Sequence, residues 1–450
     1  MKLKKILNKY IAIVPALVTI PLIAAKCEYD PGVKVFYDLN QLRLEAVEKE
    51  SLELIDNYEK NITKFWSDRQ ALNELKKLAA KVREIEHKAE QELKEYSEPA
   101  KVKVEHEDSD EKDSSVLTAK KALAKFDRSA TEIKIPSEFT KIGKNAFNNF
   151  YNLGKIEFHD NVTEIRQGAF DNTDLDSVTL PKNLKVLGGF ANTYIKTLEI
   201  PQSVTKILQG SFDNTNIGTI KLPEKLTELG GFKATGISEL KLPESLTKIY
   251  ENSFDETPIA KLKLNKNLKI LGGFNTLRNL EEFEFNDQLE EILDESFLNF
   301  NLTSLKLPNS LKILGGFQQS NITDLSLNEG LIEIKPNSFA ESKGIKRLSL
   351  PQSLKKLGGF QGTNILALRL PKGLESISKN AFDKTIITDL DLPEGLVSFG
   401  GFAESQISEI KFPKSLLHIE PNTLDFKKAR NKEYKLELLE KLISFGGFKN

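Results

Sequence analysis

The tetrapeptide LGGF begins at Leu187 and returns at Leu229, Leu271, Leu314 and Leu357, then as FGGF at Phe399 and Phe445. Its closing phenylalanines, Phe190, Phe232, Phe274, Phe317, Phe360, Phe402 and Phe448, lie 42, 42, 43, 43, 42 and 46 residues apart. A period that regular marks a repeat array, in which each unit touches only its neighbours. A second motif, Ala or Ser followed by Phe, interleaves with the first at Phe147, Phe170, Phe212, Phe254, Phe297, Phe339 and Phe382. Each period therefore holds two coils.

The two coils align as IKLPEKLTELGGFKATGISE from Ile220 and LKLPESLTKIYENSFDETPIAK from Leu240, 20 and 22 residues long. Both open on an apolar, polar, apolar triplet such as Leu240–Lys241–Leu242, followed by Pro or Asn. Alternation over so short a run predicts a half-buried strand. The proline lacks an N–H for the ladder and turns the chain out of the sheet. A second apolar pair, Leu246 and Ile249, is expected to point back inward, and the phenylalanine to fill the space between coils. About six buried side chains at roughly 1.5–3 kcal/mol each cannot offset the ordering of some 20 residues at roughly 1–2 kcal/mol apiece. One coil cannot stand alone, whereas a stack can.

The Gly-Gly pair reads as a bend. Where the longer coil spends residues on a short helical segment such as KNAF (144–147), the shorter must return in two fewer, and glycine permits the φ values this needs. A phosphate-binding loop would place one glycine-rich turn between strand and helix with a lysine at fixed spacing, which these periodic copies lack.

These coils resemble the BspA-like leucine-rich repeats, through FTKIGKNAF at 139–147 and LPxSLxxIxxxSF at 242–254, over about residues 130–450. The resemblance implies a right-handed, curved leucine-rich repeat solenoid with a parallel β-sheet on one face. It also implies a bacterial surface protein of the kind implicated in adhesion to host matrix or cells. Two features depart from that family. Thr or Ser, as at Thr173, Thr193 and Thr215, stands three places after the phenylalanine where the family has Cys, and its hydroxyl is expected to bond loop backbone. The Gly-Gly coils are the second departure.

Ahead of the array, residues 1–27 carry a lysine-rich start, an apolar stretch from Ile11 to Ala25 and then Cys27, the chain's only cysteine. This resembles the lipoprotein signal of wall-less (mollicute-type) bacteria, which implies lipidation at Cys27 and attachment to the outer face of the cell membrane. Lys26 departs from the usual small residue there, and an uncleaved anchor is the competing reading. Apolar steps of three, four and seven over residues 28–98 predict an α-helical, coiled-coil-like spacer, either one stalk or a helical hairpin. Residues 99–113 are acidic and read as a disordered linker. The repeat domain then spans 114–450, opening on a capping helix at 114–126 with Ser114 or Ser115 as its N-cap. At the far end, 427–441 is the candidate cap.

Function is sought on the middle residues of the triplets, which face away from the core. Lys221, Lys241 and Lys263 fall on consecutive coils, with Lys306, Arg369 and Lys411 further along the same column. They form either a candidate ligand-binding strip or a solvated face kept charged against sticking. The partners expected are a host extracellular matrix protein, a cell-surface protein or an acidic glycan, with the acyl anchor engaging the membrane. An array without a dedicated ligand, serving as a structural or antigenic coat, is the alternative. Lysine plus arginine (64) nearly balances aspartate plus glutamate (65), so there is no global basic field for nucleic acid. No enzyme and no cofactor or metal is expected. His87, His106, His159 and His418 show no paired ligand spacing, and no GxSxG elbow occurs.

Overall fold

In the described coils a two-residue pair follows the turn, polar–apolar as in Lys248–Ile249 or apolar–apolar as in Ile270–Leu271, and it is this pair that carries the backbone ladder. The computed structural model describes residues 107–275, 283–299, 301, 303–407, 410–424 and 441–446. Cys27, the spacer at 28–98 and all of the candidate cap but Lys441 lie outside them.

Sixteen strands of two residues each form one continuous parallel sheet, from Val116–Leu117 to Ser444–Phe445. The register advances coil by coil, Glu228 facing Lys248 and Leu229 facing Ile249, so that like positions stack. The apolar member of nearly every pair is buried and the other is half-exposed, which is what a sheet with one solvated face requires.

The triplets behave differently from expectation. Among the described residues, only Glu132–Lys134 with Lys155–Glu157, and Ser304–Lys306 with Asp324–Ser326, pair as triplet strands, and one further isolated bridge links Glu239 and Lys261. The sheet therefore lies on the opposite wall from the one that alternation predicts. Proline closing the triplet removes a donor, and side chains span the coils instead. Ser203 Oγ donates to Leu184 O at 2.7 Å and Ser245 Oγ to Leu226 O at 2.6 Å. Where Asn265 replaces proline, its Nδ2 reaches Pro243 O and Leu246 O at 2.7 and 3.0 Å. The inward triplet residues are buried or half-buried all the same, Leu242 to 8% exposure against 0% for Leu246, with Leu240 half-buried.

Between the two walls the phenylalanines form a column. Consecutive rings stack with centroids 5.1–5.8 Å apart from Phe147 to Phe274 and again from Phe297 to Phe402. Each contact is worth about 0.5–1.5 kcal/mol beyond the area buried. Their backbones form a second ladder: Phe212 N–H donates to Gly231 O at 2.7 Å and Phe232 N–H to Ser253 O at 2.8 Å, and the pattern repeats along the array.

The glycine pair belongs to this ladder. Gly231 has φ +75°, and a Cβ there would lie 2.0 Å from Ser211 N of the preceding long coil. It is both a bend and a close backbone contact, whereas Gly230 is present for proximity alone. In the longer coils KNAF and its equivalents are turns, not helical segments, because the residue two before the phenylalanine takes positive φ, as at Asn145 (56°) and Asn252 (58°). The expected hydroxyl bonds are present: Thr173, Thr193 and Thr215 Oγ1 donate to the carbonyls of Phe170, Phe190 and Phe212 at 2.9, 2.9 and 2.7 Å.

The array's first coil is covered by the helix Ala119–Lys125, capped by Thr118, whose Oγ1 accepts from Lys121 N at 3.3 Å. Neither Ser114 nor Ser115 is the cap, because Val116–Leu117 already forms the first rung of the sheet. Ala122 is buried, and the Phe126 ring packs 5.6 Å from Phe147. Composition predicts a linker through residue 113, but its end is structured. Glu107–Lys112 is helical, Asp110 pairs with Arg166, and Asp113 pairs with Lys141 at 3.3 Å.

Candidate ligand-binding face

The two walls differ in how their charges are spent. On the ladder wall, cations meet acids of adjacent coils: Lys206 with Glu228 at 2.6 Å, Lys269 with Glu290 at 2.8 Å, and Lys355 with Glu375 at 3.0 Å. Lys335 is pinned between Glu291 (2.9 Å) and Asp294 (3.9 Å). Each exposed pair contributes little stability, roughly 0–1 kcal/mol, but it neutralises the surface.

On the triplet wall Lys221, Lys241, Lys263, Lys306, Arg369 and Lys411 are all exposed, and none makes an ion pair among the described residues. The Glu239–Lys261 bridge sets Lys241 and Lys263 in register on neighbouring coils, with Lys221 one coil earlier. Lys306 faces Ser326 across a strand pair. The column is not basic throughout, since Glu284 and Asp391 occupy the same position on intervening coils. The consecutive cluster is thus Lys221, Lys241 and Lys263, while Lys306, Arg369 and Lys411 stand apart. Beside Lys263 lies a depression of ≈ 640 Å³ that also holds Glu244, Glu284 and Asp287, so its charge is mixed.

The histidines in the array serve structure. His159 Nε2 lies 3.2 Å from Pro136 O, and His418 Nδ1 lies 2.9 Å from Ser444 Oγ. His87 and His106 lie outside the described residues. No group of three or more His, Cys, Asp or Glu able to hold a metal ion occurs among the described residues.

One set of charged residues escaped the sequence reading. The aspartate after the phenylalanine of a long coil turns inward to cap the next coil: Asp171 accepts from Ala191 N at 2.8 Å, Asp213 from Lys233 N at 3.0 Å, Asp255 from Asn275 N at 3.0 Å, and Asp383 from Ala403 N at 2.8 Å. Burial pushes Asp213 and Asp255 up to about 6, against the pull of those backbone N–H groups. Asp255 is 1% exposed, and its Oδ2 has no hydrogen-bond partner. The signal was the dipeptide Phe-Asp at 170, 212, 254 and 382, whose recurrence marks a buried role.

A family model described as the BspA type leucine-rich repeat region matches six copies, over residues 120–232, 230–317 and 315–430. No curated protein matches the chain. Among solved structures, a leucine-rich repeat protein from Bacteroides ovatus is 20% identical over 68% of this chain and 84% of its own, with a TM-score of 0.33. YopM from Yersinia enterocolitica is 19% identical over 69% and 84%, with a TM-score of 0.38. A leucine rich cell surface protein from Faecalibacterium prausnitzii is 18% identical over 70% and 83%, with a TM-score of 0.35.

Proposed function

The chain belongs to the BspA-type leucine-rich repeat family, and from that premise we propose that it is a cell-surface lipoprotein whose solenoid binds extracellular macromolecules through its triplet wall. Leucine-rich repeat proteins generally bind other proteins and are typically not enzymes. The observation that carries the reading is a local cluster: Lys206, Lys269 and Lys355 of the ladder wall are each neutralised by an acid on an adjacent coil, whereas Lys221, Lys241 and Lys263 are left unpaired on three consecutive coils of the triplet wall. Unpaired cations at fixed spacing suit an acidic glycan or the acidic surface of a matrix or cell-surface protein. Lys306, Arg369 and Lys411 extend the same column as separate contacts.

Cys27 is the acyl attachment point in this reading, with residues 1–26 as its export signal and 28–98 as a helical spacer that lifts the array from the membrane. Labelling with radioactive palmitate tests the anchor, and label that persists in Cys27→Ser overturns it.

The binding surface is tested on the full chain in detergent micelles, captured on a sensor and exposed to heparin and to a panel of matrix proteins at physiological salt. Binding that falls at least tenfold when Lys221, Lys241 and Lys263 are reversed to Glu supports the strip. Undiminished binding assigns the ligand elsewhere, and no binding at all favours the coat reading.

A further inference from the structure

Leu366 breaks the repeat. The position it occupies, one after the core residue that closes each coil, holds Lys196, Ser238, Thr303, Thr323, Lys346 and Thr388 in other coils, and a large apolar residue in none but this. The next position is polar or charged on every other coil and is Ala367 here. One coil later Ile386 stands where the array carries Asn216, Asn321 or Asn364, the one branched aliphatic in that column. Periodicity explains residues that recur, and these three do not.

The exceptions meet in one place. Leu366 (57% exposed) and Ile386 (37% exposed) border a groove of ≈ 840 Å³ on the triplet wall, whose other walls include Leu348, Lys346, Arg347 and Arg369. That volume is within the roughly 300–1,000 Å³ of ligand sites. No carboxylate lines the groove. Counting by the repeat, Asp324 and Asp391 belong to the flanking coils, yet among the described residues Lys346, Arg347 and Arg369 make no ion pair. Two of the four arginines of the described residues are here, while Arg166 is committed to Asp110 and Glu164.

An apolar floor between three unpaired cations defines its occupant by complementarity. We infer that this groove binds an extended acidic peptide segment of a partner protein, seating an aliphatic or aromatic side chain on Leu366 and Ile386 with flanking carboxylates on Arg347, Arg369 and Lys346. The guanidinium groups suit bidentate carboxylate recognition. A sulfated glycan has no group for the apolar floor, and no aromatic side chain lines the groove to stack a base. A fatty acyl chain would bring one carboxylate at most to three cations.

This site rests on the reading of the triplet wall as the ligand-presenting face and deepens it at a second locus. The test uses the full chain in micelles and fluorescence polarisation of two labelled peptides, DELDFE and its charge-reversed counterpart KKLKFK. The acidic peptide is expected to bind at least tenfold tighter. The paired substitution Leu366→Thr with Ile386→Asn, which installs residues the array already carries at those positions, should lower its affinity at least tenfold with no change in Tm. Arg347→Glu with Arg369→Glu should abolish the preference for acid, while Lys241→Glu should leave peptide binding intact. Equal binding of both peptides, indifference to the Leu366 and Ile386 pair, or preferential uptake of oleate or of phosphatidylserine vesicles at the groove overturns the inference. Heparin binding that depends on Lys241 but not on Leu366 would sustain the strip and sink the groove, so the two readings fail separately.

Discussion

One wall of the solenoid is held by backbone and the other by side chains. On the ladder wall the pairs such as Lys248–Ile249 exchange hydrogen bonds through sixteen strands of the described residues, and cations such as Lys206 and Lys356 are matched to acids one coil away. On the triplet wall prolines interrupt the ladder and Ser and Asn side chains bridge the coils; Lys155 pairs with Glu132 there, but Lys221, Lys241 and Lys263 are left unmatched among the described residues. The difference teaches that the two faces of one repeat are under different constraints. A ladder wall must keep its register, while a triplet wall can change residues at little cost to the fold. Variation of the kind seen at Leu366 and Ile386 falls on the wall that tolerates it.

That asymmetry can be broken or sharpened by substitution. Between the walls, Phe254→Ala should cost the most, about 3–5 kcal/mol, because it leaves a hole in a continuous ring stack. A loss under 1 kcal/mol in chemical denaturation would show the column to be dispensable. On the ladder side, Gly231→Ala should destabilise by about 2–4 kcal/mol, through its positive φ and the close approach of Ser211 N. Gly218→Ala is the control, since nothing lies within 4 Å of a Cβ there.

Asp255→Asn should stabilise, by roughly 3 kcal/mol at most, at pH 7.5. The sign follows from the titration. Asp255 is raised from 3.8 to about 6 in the folded chain, so the native state binds more protons between those values. Stability from this group is present at low pH and is lost as pH rises through about 6. The gain in Tm on substitution should therefore shrink at pH 5, and a gain equal at both values would refute the assignment. On the triplet wall Ser245→Ala should cost about 1 kcal/mol for its bond to Leu226 O. Smallest of all, Lys241→Glu should shift stability by no more than about 0.5 kcal/mol in chemical denaturation.

Much of this was legible in the sequence, and the failures have a cause. The spacing of Phe190, Phe232 and Phe274 gives the two-coil period, and the threonine three places after Phe190 and Phe232 gives its hydroxyl bond. Strand placement failed because alternation reports burial and not hydrogen bonding. Leu240–Lys241–Leu242 alternates correctly and is half-buried, yet only the residue before it, Glu239, forms a bridge. Lys248–Ile249 is too short to alternate, yet it pairs on both sides. The exposure of Lys241 could be read from its place in the triplet. The neutralisation of Lys206 by Glu228 could not, since the partners are 22 residues apart and meet only through the register. Leu366 was readable in principle, by comparing one position down all the coils rather than along one.

The close fit of each short coil against the long coil before it, Gly231 on Ser211 and Gly401 on Ala381, makes the pair of coils the unit of inheritance. Unequal crossing-over in a gene with such internal homology would shorten or lengthen the protein in steps of two turns. A product out of phase by one turn would bring together surfaces that were never shaped for each other. Natural size variants should therefore differ by about one full period, 42 or 43 residues, and the length of the array is quantised accordingly.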